Sequence, residues 1–90
     1  MVERRRYRQN PTIPAREVGG ITAVITPRTS RIHRLNQVGA EVWRACEGGG
    51  ATLDELVGVV AKRFVVDEER AREDIQAFLK DAIDKGLILV

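Results

Sequence analysis

One histidine (His33), one cysteine (Cys46), three consecutive acids (Asp67-Glu68-Glu69), three consecutive glycines (Gly48-Gly49-Gly50) and eight arginines before position 35 are the residues from which this 90-residue chain could build chemistry. Nucleophilic catalysis needs a nucleophile, a base within hydrogen-bond reach and a group that orients the base. His33 falls in an alternating strand pattern with no partner acid, and Cys46 falls on the apolar face of a helical pattern, where a thiol is buried and inert. One His and one Cys also exclude a disulfide framework and a structural zinc site, which takes about four such ligands. The three glycines lack the spacing of a phosphate-binding loop and join two helical patterns instead of following a strand. Carboxylates in a first helical turn suit the positive end of the macrodipole, which accounts for the three acids. The sequence therefore predicts no catalysis, no metal and no cofactor.

The arginines are the remaining candidates, and they are unevenly placed. Residues 1–34 carry eight Arg against Glu3 and Glu17, a net of +6, and residues 35–90 carry seven bases against eleven acids, a net of −4. Such an asymmetry suits a partner of mixed charge, or two halves of one chain that attract each other. No apolar run approaches the ~20 residues that span a bilayer, and no apolar stretch follows the opening Met1-Val2-Glu3-Arg4-Arg5-Arg6. Neither a membrane span nor a secretory signal is predicted, and a reducing, cytoplasmic setting is the expectation.

The elements that must position these residues follow from the hydrophobic period. Residues 1–15, arginine-rich with Pro11 and Pro14, show neither period and read as a flexible basic arm ahead of a single domain over 16–90. Arg16 to Val18, the β-branched run Ile21 to Thr26 and the alternating Arg31 to Leu35 read as three antiparallel strands, the first two joined through Gly19-Gly20. After Asn36, an N-cap, the period becomes 3.6: Gly39, Val42, Trp43 and Cys46 share a face up to the glycine break. Thr52 with Glu55 is a capping-box signature ahead of Leu53, Leu56, Val57, Val60, Ala61 and Phe64. Asp67 opens a third helix whose buried stripe is Ala71, Ile75, Phe78, Leu79, Ala82 and Ile83, with Gly86 placed to end it. Leu87 to Val90 is a short tail that adds a strand or packs over the core. The fold class is α+β: a three-stranded antiparallel sheet followed by three helices, winged helix-turn-helix-like.

Many winged helices bind nucleic acid, which keeps that function in view as the alternative. The third helix argues against it, because residues 67–85 hold seven acids and four bases, a net of −3, and a duplex would be repelled.

The order Leu35-Asn36-x-x-Gly39-Ala40-x-x-Trp43, a glycine break, Thr52-x-x-Glu55-Leu56, Phe64-Val65-Val66, Asp74-Ile75-x-x-Phe78-Leu79 and Gly86-Leu87-Ile88 resembles the PqqD family over about residues 16–90. These are small peptide chaperones of pyrroloquinoline quinone biosynthesis, related to the recognition domains of other ribosomal peptide pathways. Two features depart from the family pattern: three glycines stand where an acid plus glycine is usual, and the arm is unusually arginine-rich, which leaves the pathway open. The resemblance implies a non-enzymatic adaptor that binds a precursor peptide leader and presents it to a modifying enzyme, commonly a radical SAM protein. It further implies that the leader lies as an added strand between the third strand and the third helix. That places Arg31, Ile32, His33 and Arg34 along the peptide, with Arg72 and Gln76 on the helix beside Ile75 and Leu79. Arg31 and Arg34 would suit an acidic leader. Leu35, Gly39, Trp43 and Leu56 are read as fold determinants. An open strand edge also allows a homodimer, through self-pairing or a swapped N-terminal segment.

Overall fold

A computed structural model describes residues 5–26 and 28–90. Gly19 and Gly20 both take positive φ, +58° and +80°, the pair of angles that lets a two-residue turn follow the strand twist. This turn joins β2 (Ala15–Val18) to β3 (Ile21–Thr26), and a second hairpin brings β4 (Arg31–Leu35) onto the other side of β3. In the second hairpin the buried Thr26 hydroxyl lies 2.7 Å from that of Thr29 and donates to the Arg31 carbonyl at 3.3 Å. These strands form the predicted sheet, in the order β2-β3-β4.

Each helix begins where its cap was expected. The Asn36 side chain accepts from the Gly39 N–H at the start of α1 (Gln37–Ala45). Thr52 and Glu55 close a reciprocal box at the start of α2 (Leu53–Phe64), and the Asp67 carboxylate accepts from the Arg70 N–H ahead of α3 (Glu68–Asp84). The end of α3 is a Schellman motif: Leu87 N–H donates to the Ala82 carbonyl, Gly86 N–H to that of Ile83, and Gly86 sits at φ +75°. Val42, Trp43, Leu56, Val60, Ile75 and Leu79 from the three helices meet Val24 of β3 in one core. On the inner side of β2, Glu17 pairs with Arg44 of α1 and so ties the sheet to the helices.

The N-terminal segment differs from the expectation. Residues 1–4 lie outside the described residues, but Arg6–Gln9 form a strand, β1, at the centre of a second antiparallel sheet. Its neighbours are β5 (Ala51–Thr52) and β6 (Ile88–Leu89), in the order β5-β1-β6. The reading of residues 1–15 as a flexible arm is therefore corrected over this stretch. Tyr7 is buried in the core, the Gln9 N–H donates to the Cys46 carbonyl, and Asn10 is held through both its backbone and its side chain at Leu87 and Gly86. Burying one large aromatic and pairing a strand on both edges outweighs the arginines, which keep their charged ends at the surface. One of them also acts on the glycine break: Arg6 donates to the carbonyls of Gly49 and Gly50. Gly50, at φ +80°, has no room for a side chain, since a Cβ would stand 2.5 Å from the Tyr7 carbonyl oxygen. The glycine run is the place where β1 crosses close to the chain that follows α1.

Candidate functional site

The register of the first sheet decides which backbone groups of β4 are free. In an antiparallel pair, one residue exchanges both its bonds with the facing residue, and the next turns both groups the opposite way. The Ile25 N–H donates to the Pro14 carbonyl, on the β2 side. Thr22, Val24 and Thr26 therefore turn their groups toward β4, where they face Leu35, His33 and Arg31. The intervening Ile32 and Arg34 point their N–H and C=O groups away from β3, along the open edge. An extended peptide laid beside β4 meets two donors and two acceptors in strand geometry.

Side chains alternate with the same period. Arg31, His33 and Leu35 share the inner face with Thr22, Val24 and Thr26, whereas Ile32 and Arg34 stand on the outer face, Ile32 at 68% exposure. Beneath the inner face runs an open groove of about 850 Å³, lined by Thr26, Arg31 and His33 from the sheet and by Asp84 and Lys85 from the end of α3. Among the described residues no acid pairs with Arg31 or Arg34, whereas Arg6, Arg44, Arg70, Arg72 and Lys85 each have a carboxylate partner. The basic groups left uncompensated by the fold include those on β4.

The predicted residues of α3 do not gather at that groove. Ile75 and Leu79 are 0% and 3% exposed and belong to the core. Arg72 pairs with Asp54 of α2 at 3.0 Å, and Gln76 borders a hollow of about 280 Å³ with Tyr7, Leu79, Lys80, Ile83 and Asp84, the last of which also lines the groove. The flank of α3 nearer the β4–α1 junction is the other one. It carries Phe78, whose ring lies so close to Gly39 that a Cβ there would be 2.8 Å from Cε1. Lys85 follows two turns later on the same flank. Lys85 thus lines the groove with Arg31 and His33 of β4, whereas Phe78 packs against Gly39 of α1.

Other reactive groups stand apart. Cys46 is fully buried, and burial pushes its thiol pKa up to about 11, which disfavours the thiolate. Among the described residues no group of three His, Cys, Asp or Glu could hold a metal ion, and no helix is long and apolar enough to cross a membrane.

A small α+β domain of winged helix-turn-helix form, with an open sheet edge above a basic groove, is the class these features define. The family model for coenzyme PQQ synthesis protein D (PqqD) matches residues 22–88, and the chain belongs to the PqqD family. Among solved structures it is similar to TbiB1 in complex with the TbiA(beta) leader peptide: the TM-score is 0.78 at 18% identity, over 90% of this chain and 93% of that one, a likeness of fold. No curated protein sequence matches the chain.

Proposed function

We propose that this protein is a non-enzymatic adaptor that binds the leader of a ribosomal precursor peptide as a fourth strand on β4 and presents it to a peptide-modifying enzyme, for example a radical SAM protein. The observation that carries this reading is the pair of outward-turned backbone positions, Ile32 and Arg34, directly above a groove into which Arg31 and His33 face. Membership of the PqqD family and the likeness in fold to a protein solved in complex with a leader peptide support it. Arg31 and Arg34, without acid partners among the described residues, favour a leader with acidic side chains. Lys85, which lines the groove with Arg31 and His33, is the contact from the end of α3. A single buried, unpaired cysteine fits work in the reducing cytoplasm. The nucleic-acid alternative meets an α3 with six acids against three bases, two of which, Arg70 and Arg72, are already paired with acids.

The test is calorimetric titration with synthetic leaders from the short reading frames beside this gene. Wild type should bind one of them, and the Arg31→Glu/Arg34→Glu variant should bind it more weakly, with the loss largest at low salt where screening is weakest. Equal affinity in the two proteins would move the peptide off β4. Tight, salt-sensitive binding of wild type to duplex DNA would promote the alternative.

A further inference from the structure

Among the described residues, nothing packs over the outer face of the β2-β3-β4 sheet. Its middle row is Arg16, Ala23 and Arg34, which face one another across the three strands. On one side of this row lie Val18 and Ile21, and on the other Ile25 and Ile32. All four are exposed, Val18 to 65%. Two strand spacings separate Arg16 from Arg34, roughly 10 Å, and the apolar rows stand roughly 7 Å to either side. Neither arginine has an acid partner among the described residues, and the one acid of β2, Glu17, points to the opposite face and is bound to Arg44.

We infer that this face docks the modifying enzyme through a surface bearing two carboxylates about 10 Å apart, flanked by apolar side chains. The charge pattern selects the occupant. A second copy of the chain docked through this same face would bring one arginine row against another, which like-charge repulsion disfavours, whereas an acidic partner neutralises both guanidinium groups while covering the aliphatic rows. The inference rests on the adaptor reading for the identity of the partner, and it adds a consequence. A leader strand added to β4 places the residues opposite Ile32 and Arg34 on this same outer face, so the enzyme meets adaptor and leader as one continuous surface.

The probe is the purified peptide-modifying enzyme encoded beside this gene, titrated against the full chain with and without the synthetic leader. Two variants lie away from the β4 edge: Val18→Thr/Ile21→Thr, which keeps β-branched side chains, and Arg16→Glu. Each is expected to weaken enzyme binding at least tenfold while leaving leader affinity within twofold of wild type and the circular dichroism spectrum unchanged. The Arg16→Glu loss should shrink at high salt. Enzyme binding equal to wild type in both variants, or no binding by wild type, overturns the inference. So does a wild-type dimer in analytical ultracentrifugation that Val18→Thr/Ile21→Thr dissociates. If the enzyme binds and the variants weaken it, but no leader binds β4, the docking face stands and the strand-addition reading falls.

Discussion

A proline placed at successive positions of β4 should alternate in effect, because the ladder turns alternate N–H groups inward and outward. At position 32 the N–H faces the open edge, so Ile32→Pro removes no bond to β3, and Arg31 before it already holds the extended backbone that proline favours. Its side chain is largely exposed and contributes little packing, so the folded state should lose no more than about 1 kcal/mol. At position 33 the N–H is directed at Val24, whose residue is fully buried. His33→Pro removes that bond, strands a buried carbonyl and inserts a ring into the ladder, a cost of about 2–4 kcal/mol. Leader affinity should behave in the opposite way. Ile32→Pro deletes one of two edge donors and sets ring carbons where the added strand must approach, a loss of at least about 1.4 kcal/mol, or tenfold. Urea denaturation of both variants, with calorimetric titration of Ile32→Pro against the leader, measures both halves. If His33→Pro is the better-folded variant, the assigned phase of the ladder is wrong; if Ile32→Pro folds and binds the leader as wild type does, the peptide uses another edge.

Trp43, 4% exposed at the centre of α1, should cost about 3–5 kcal/mol on truncation to Ala, and an unshifted denaturation midpoint would contradict its core position. Gly50→Ala should destabilise by more than about 2 kcal/mol, since it combines positive-φ strain with a clash against the Tyr7 carbonyl; a neutral result would detach β1 from the glycine run. With a thiol pKa raised to about 11, Cys46 exposes only about one thiolate in a thousand at pH 8, so iodoacetamide should label it slowly in native protein and rapidly in denaturant. Glu55 accepts the Thr52 N–H, and that bond is the first cause holding its carboxyl below the ordinary glutamate value. The box is therefore complete above the unfolded pKa and is lost as pH falls through the lower, folded one; the stability gap between wild type and Glu55→Gln should close on acidification from pH 7 to pH 3.

The elements most legible in the sequence were those marked by two independent signals. Asn36, Thr52 and Asp67 each announce a cap and are each followed by a 3.6-residue stripe, and all three helices begin within a residue of the expected place. The hairpins were legible through Gly19-Gly20 and the β-branched run after it. The second sheet was not, because β5 and β6 are two residues each and β1 offers only Tyr7 between arginines, too little chain for a period to appear. On β4 the two faces are legible because a strand's alternation fixes both once one is known. On α3 the surroundings of each flank are not legible in the same way. The rows on either side of a buried helical stripe are equivalent in sequence, and only tertiary neighbours, Asp54 for Arg72 and Gly39 for Phe78, tell them apart.

The pairing of Arg8 with Leu89 and Gln9 with Ile88 sets the beginning and the end of the domain side by side, about one strand spacing apart and running in opposite directions. A module whose chain comes in and goes out at one point can be spliced into a loop of another protein without stretching its host. The same arrangement gives it a mechanical character. Tension applied through residues 6 and 89 would load the rungs of this pair one after another, as in a zipper, instead of shearing them together. Such a domain yields at low force from its two-residue C-terminal strand, while the sheet that carries β4, anchored through α1, lies off the line of pull.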